Sequence, residues 1–340
     1  MNQLTQSPVA AAPPAAAQVE PVGRSATGTA LLWAAERGIV VFTAALILAS
    51  VVFVDGFASA VNIADVFHRA APIGIVAVGM TFVVISGNYL DLSVVAQVAT
   101  SAVILIGVSN SVSIPVAIAL AFAVSVAYGL VNGVAVGYFK ANAVIVTLST
   151  TFVGLGLLRW LSGGSIYFGP ADGPIESFGD IKLGVVPVSA IVLVLVAIVL
   201  GFLLSRTNFG FAVRSFGSNK ESTRLSGVNT PLVVVGAFMI TAFAATIAGF
   251  VLAAYSNTAV SSMSDGYDFG ALAAIIIGGT SVFGGRGSVL RTVLGVIFVS
   301  VLTNVLVLSG ADFGWQQVAI GSLIVLAVSV DALARKVSRT

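Results

Sequence analysis

Ten apolar stretches follow one another along the chain with short polar breaks between them, and this alternation sets the expected architecture. They run from Gly38 to Val54, Ala71 to Ser86, Leu92 to Val108, Pro115 to Tyr138, Ala143 to Leu161, Pro187 to Leu204, Leu232 to Tyr255, Gly270 to Gly279, Val289 to Ser309 and Trp315 to Val330. A helix crosses the hydrocarbon layer of about 30 Å with about 20 residues, and most of the stretches approach that length. The eighth is visibly short. The runs are too long and too continuously apolar for the two-residue alternation of a barrel strand. The pattern predicts an all-α integral membrane protein of about ten transmembrane helices, some of them broken.

Composition agrees, since 58% of the 340 residues are hydrophobic and 8% charged, where a soluble domain carries about a quarter charged residues. The first 30 residues are rich in Ala, Pro and Gln and predict a disordered cytoplasmic tail. Residues 31–340 then form the transmembrane domain, with a cytoplasmic loop over 205–231. If both termini lie inside, 12 of the 15 Lys and Arg residues fall on the cytoplasmic side, and only Arg69, Arg159 and Lys182 fall outside. That asymmetry is the positive-inside bias, so a multi-pass protein of the bacterial cytoplasmic (inner) membrane, surrounded by lipid, is expected.

Several chemistries lack their residues. There is no cysteine, so no thiolate can act as nucleophile or metal ligand. No phosphate-binding loop or dinucleotide fingerprint is present, so no ATP, Mg or other cofactor is expected on this chain. No catalytic residue, no metal site and no nucleic-acid contact are expected either. The single histidine, His68, is expected at the outer interface as a solvated residue. No predicted span has an acid at its centre, which argues against a stand-alone proton-coupled transporter. The spans carry uncharged polar residues instead, among them Gln97, Asn132, Thr147, Thr150, Thr151 and Asn304. These suit either a pathway for a hydroxylated solute or hydrogen bonding between helices.

Two glycine-rich breaks stand out. In SGNYLDLSVV a helix is expected to end at Gly87 and another to begin with Asp91 as its N-cap, placing Asn88 and Ser93 beside the cap. In GGTSVFGGRGS, the residues Gly278, Gly279, Gly284 and Gly285 allow close backbone approach and a broken helix. The two segments echo one another, consistent with halves related by a pseudo-two-fold axis along the membrane normal. In the loop RSFGSNKESTRLSGVNTP, Ser218 and Glu221 have capping-box spacing and Gly227 sits where a helix would end. A short capped cytoplasmic helix carrying Asn219, Glu221 and Arg224 is therefore expected, suited to take a push from a soluble partner.

Four stretches, in order, resemble the inner-membrane permeases of bacterial ATP-binding-cassette importers of the ribose and simple-sugar type. They are GMTFVVISGNYLDLSV, GLVNGVAVGYFKANAVIVTLST, the loop with TNFGFAVRSFGSNKESTRLSGV, and GGTSVFGGRGS with WQQVAIGSLIVLAV. The resemblance implies a dimer of permeases, homo- or heterodimeric, with cytoplasmic ATPase subunits that bind ATP and Mg, and a periplasmic solute-binding protein. It makes Ser218 to Gly227 the coupling helix and the broken helices a gate for a monosaccharide or polyol. A furanone signal or a branched-chain amino acid is the nearer alternative solute. The chain departs from the family's usual Gly-Gly-Ile-Asp-Leu-Ser-Val-Gly pattern at Asn88, Tyr89, Leu90 and Val95, and carries Arg291 where glycine is common.

Overall fold

The computed structural model describes residues 26–87 and 90–337. Thirteen helices occur among them: α1 (Ala26–Phe53), α2 (Ala60–Ile85), α3 (Val94–Val103), α4 (Ile114–Gly137), α5 (Ala143–Ser162), α6 (Pro174–Gly179), α7 (Val188–Arg206), α8 (Asn208–Ser218), α9 (Lys220–Leu225), α10 (Thr230–Ser256), α11 (Tyr267–Ile277), α12 (Val289–Leu308) and α13 (Phe313–Val337). A π-helical turn, Ile104–Val108, prolongs α3. Each of the ten predicted stretches coincides with a helix. Among the described residues α2, α4, α5, α7, α10 and α12 are long and apolar enough to cross a membrane, and α1, α3, α11 and α13 contribute shorter apolar segments. The expected tail lies mostly outside the described residues, and its last five residues belong to α1.

The only strands among the described residues are two-residue pieces in the polar connections. β1 (Tyr167–Phe168) pairs antiparallel with β4 (Thr258–Ala259), and β2 (Lys182–Leu183) pairs with β3 (Val186–Pro187). They tie down the connections between α5 and α7 and between α10 and α11.

Local chemistry fixes the helix ends. Ser59 accepts the Asn62 N–H at the start of α2, and the Asn142 side chain accepts from Val144 and Ile145 at the start of α5. Glycine at 163, with φ +60°, stops α5.

The core lies along α2 and α10, with Ile75, Val78, Phe82 and Ile85 of one helix and Phe238, Ala242 and Ala248 of the other shielded completely. A helical segment apolar on every side belongs inside a bundle, and α2 from Ala70 to Ile85 is that segment. Against α10 packs α4, through Gly129, Gly133 and Gly137. A Cβ at Gly133 would stand 2.7 Å from the Val235 Cα, and one at Gly129 would stand 3.0 Å from the Met239 Cα. Small residues four apart let two backbones touch, which is how helices associate in lipid, where apolar burial alone gives little. The outer faces of α5 and α7 expose Phe152, Trp160, Ile198 and Phe202 to the hydrocarbon.

Candidate coupling and gating site

The connection between α7 and α10 holds two helices where one was expected. α8 opens with Thr207, whose hydroxyl accepts the Gly210 N–H at 3.2 Å, and it buries Val213 and Phe216. The signal for it in the sequence is the Thr207 cap followed by apolar residues three apart.

The expected capping box does not form, and the reason is a shift of one residue. Ser218 is the last residue of α8, while Asn219 leaves the helical conformation and its side chain accepts the Ser222 N–H at 2.9 Å. With Asn219 as the cap, Ser222 stands three residues beyond it, so Glu221 is misplaced for the return bond. Glu221 turns to Arg224 instead, accepting from Nε at 3.1 Å and forming the ion pair with Nη2. The hydrogen bond from Arg224 holds the Glu221 carboxyl below the usual carboxylate range, and Glu221 raises Arg224 in return. Gly227, with φ +81°, ends the helix and donates to the Arg224 carbonyl. The product is a stiff six-residue α9 that presents Glu221, Arg224 and Leu225 outward, Leu225 being 73% exposed.

Both glycine breaks reach this helix pair. α2 ends with Ser86 and Gly87 (φ +73°), and α11 ends with Gly278 and Gly279 (φ +81°), each pair bonded to the last turn in the same pattern. The Gly285 N–H donates to the Ile85 carbonyl at 2.7 Å, joining one break to the other. Gly284 (φ +88°) lies so close to Gly87 that a Cβ on it would stand 2.8 Å from the Gly87 Cα. Gly217 at the end of α8 abuts the Ile85 carbonyl and the Gly285 amide, and a Cβ on Gly285 would stand 3.0 Å from the Ser218 Cα. Lys220, the first residue of α9, extends Nζ to 3.5 Å from the Gly87 carbonyl and over the Phe216 ring. The end of α8 thus touches both breaks through its backbone, and α9 touches the first through the Lys220 side chain. Lys220 belongs to the short helix expected from the sequence, but its contact with Gly87, and that of Gly217, were not foreseen, because only the fold brings them together.

Just beyond the first break lies a buried polar network. Asp91 Oδ1 accepts the Ser93 N–H at 3.0 Å and the Ser93 hydroxyl, but Asp91 is not the expected N-cap: regular helix starts only at Val94, Ser93 stands at its cap position without a side-chain cap bond, and Asp91 closes the turn before it. The Ser93 hydroxyl accepts from Gln97 Nε2 at 2.7 Å and from Asn132 Nδ2 at 2.8 Å. Asn132 Oδ1 accepts from Thr150, and Thr151 donates to the Leu92 carbonyl. The structure thus gathers Asp91, Ser93, Gln97 and Asn132 into one cluster that locks α3 to α4 and α5. Asn88 lies outside the described residues.

Asn304 is not part of it. Its carboxamide makes a reciprocal pair with that of Asn62 at 2.8 and 3.1 Å, joining α12 to α2. His68 is not solvated as expected, being 4% exposed, with Nδ1 3.2 Å from the Ser189 hydroxyl and its ring stacked on Tyr255. Only one side of α2 is covered there, since its neighbours Phe67 and Arg69 stay exposed.

Residues 62–328, which run from α2 into α13, match the family model described as branched-chain amino acid transport system / permease component. The chain belongs to this permease family. It is 34% identical to the ribose import permease protein of Bacillus subtilis over 277 residues, 81% of this chain and 86% of that one. Similarity is 37% to a probable ABC transporter permease protein of Escherichia coli, over 88% of this chain and 90% of the relative. The L-arabinose transport system permease protein of the same organism is 31% identical, over 90% and 93%. No solved structure matches significantly. As a family member the chain is a multi-pass inner-membrane permease, a transporter component and not an enzyme.

Proposed function

We propose that this permease carries a monosaccharide into the cytoplasm by alternating access, driven by ATP hydrolysis on a partner subunit that α9 engages. The observation that carries the reading is the contact path from the exposed Glu221, Arg224 and Leu225, through the backbone at Gly217 and the side chain of Lys220, to the two glycine breaks. A connecting loop needs neither caps nor glycine contacts; a transmitter needs both, because a frayed helix would absorb the push. On this reading both termini and α9 face the cytoplasm, a solute-binding protein delivers the sugar from the other side, and a second permease copy completes the complex. ATP and Mg reside on the ATPase subunit. Relatives whose names specify ribose, L-arabinose, D-allose and galactofuranose support a sugar as cargo.

Proteoliposomes containing the permease, its ATPase subunit and its binding protein test this. They should accumulate one of D-ribose, L-arabinose or D-allose only when ATP is supplied. Accumulation of leucine with no sugar taken up would overturn the cargo, and uptake without ATP would overturn the coupling.

A further inference from the structure

We infer that each permease chain holds its own monosaccharide site, a cavity inside the bundle at the end opposite α9, where the sugar waits before the breaks open. The inference rests on the sugar-importer reading above. The cavity measures about 550 Å³ and lies between α2, the α10–α11 connection, α12 and α13. Its size falls within the roughly 300–1,000 Å³ of small-molecule sites. α2 passes through both places, entering the cavity wall at His68 and reaching the gating glycines after Ile85. At 1.5 Å per residue these points are about 25 Å apart along one helix.

The lining matches the two faces of a sugar ring. One wall is aromatic: the His68 and Tyr255 rings stack with centroids 4.1 Å apart and planes 19° apart, and Ser189 holds the imidazole from behind. A fixed aromatic pair offers an apolar surface to the C–H groups of a pyranose or furanose. The lining also supplies uncharged polar groups, Ser300 and Thr303 from α12 and Gln317 from α13, the Thr303 hydroxyl donating within its own helix and left as an acceptor. The Gln317 carboxamide makes no hydrogen bond with another described residue and rests against Gly266. Gly266 has φ +83°, and a Cβ there would stand 2.9 Å from Gln317 Nε2. Glycine at 266 thus clears the space in which the amide is held ready.

The charges support a neutral ligand. Arg69 and Asp265 line the cavity but are exposed, at its mouth, and they form no ion pair with each other among the described residues. The buried part of the wall, including Ser300 at 6% exposure, carries no charge. A zwitterionic amino acid would need its charges met inside, whereas a sugar needs hydroxyl partners only.

Because the chain has no native cysteine, a single introduced thiol reports on the cavity without background. Thr303→Cys in the complete transporter should react with a small membrane-impermeant thiosulfonate. Whichever of D-ribose, L-arabinose or D-allose is transported should, at about 2 to 9 times its Kd for the site, slow that reaction about 3- to 10-fold by occupying it. Leucine should not slow it. Ser309→Cys, outside the cavity, should react at the same rate with and without sugar. If Thr303→Cys fails to assemble, Ser300→Cys carries the same measurement. Gln317→Ala should raise the sugar concentration needed for that protection while leaving the labelling rate without sugar unchanged. Transport of a sugar by the unmodified protein with no protection of either thiol overturns the cavity site alone. Protection by leucine but not by sugars overturns its ligand class. Absence of any sugar uptake by the unmodified transporter sinks the importer reading itself.

Discussion

Replacing Ser93 with alanine removes one oxygen and strands three neighbours. The hydroxyl donates to Asp91 and accepts from Gln97 Nε2 and Asn132 Nδ2, all four residues being at most 2% exposed. Hydrogen bonds between membrane helices average about 0.6 kcal/mol because the unfolded state in lipid finds other partners. A buried donor left with no partner costs more, about 1–3 kcal/mol. Two stranded donors at about 1–3 kcal/mol each and one lost bond of about 0.6 kcal/mol place Ser93→Ala at about 3–7 kcal/mol. Ser149→Ala is the matched control. Its hydroxyl is exposed and bonds only to the Ile145 carbonyl of its own helix, so its loss should stay within about 0.5 kcal/mol. Unfolding of the purified permease by a denaturing detergent titrated into mixed micelles gives both values. A loss at Ser93 no larger than at Ser149 would show that the cluster does not lock α3 to α4 and would refute the reasoning.

Gly133→Val forces a side chain into the backbone of α10 at Val235 and should cost over about 2 kcal/mol in the same titration. Gly156→Val, where a Cβ meets nothing within 4 Å, should cost far less. Gly285→Ala puts a Cβ at φ +77° and 3.0 Å from the Ser218 Cα, adding about 1–2 kcal/mol of left-handed backbone cost. Sugar uptake per ATP hydrolysed should fall in that variant, while ATPase subunits still co-purify with it. The Glu221 carboxyl is held below its ordinary range, so the contribution of its pair with Arg224 is present above that range and lost only as pH falls through it. ATPase stimulation should accordingly be flat from neutral pH down to the ordinary carboxylate range; a drop near neutrality would remove the pair from the coupling step.

The spans were legible in the sequence because lipid imposes the same demand on every turn of a helix, and all ten apolar stretches became helices. Features set by one helix against another were not. Asn132 and Asn304 read alike, yet Asn132 joins the Ser93 cluster and Asn304 pairs with Asn62, 242 residues away. His68 read as an outer-side, solvated or interfacial residue next to Arg69, but Ser189 and Tyr255 arrive from other helices to cover it. At α9 the error was local. Ser218 and Asn219 are both good caps, and the choice fell to Asn219 because α8 runs on through Ser218, a helix the sequence reading merged into the loop. The glycine breaks were visible singly; that Gly87, Gly217, Gly284 and Gly285 converge was not, since no local rule encodes a meeting of segments this distant.

Labelling of Leu225→Cys tests the role of α9 most directly. Leu225 is exposed on α9, so the substitution leaves the fold intact, and in a chain without other cysteines the reagent sees one site. A membrane-impermeant maleimide should modify it in inside-out vesicles and not in intact cells, and bound ATPase subunit should shield it. Modification from the outside of intact cells, or an unchanged rate when the ATPase subunit is bound, would contradict the assignment of α9 as the point where ATP-driven motion enters the membrane.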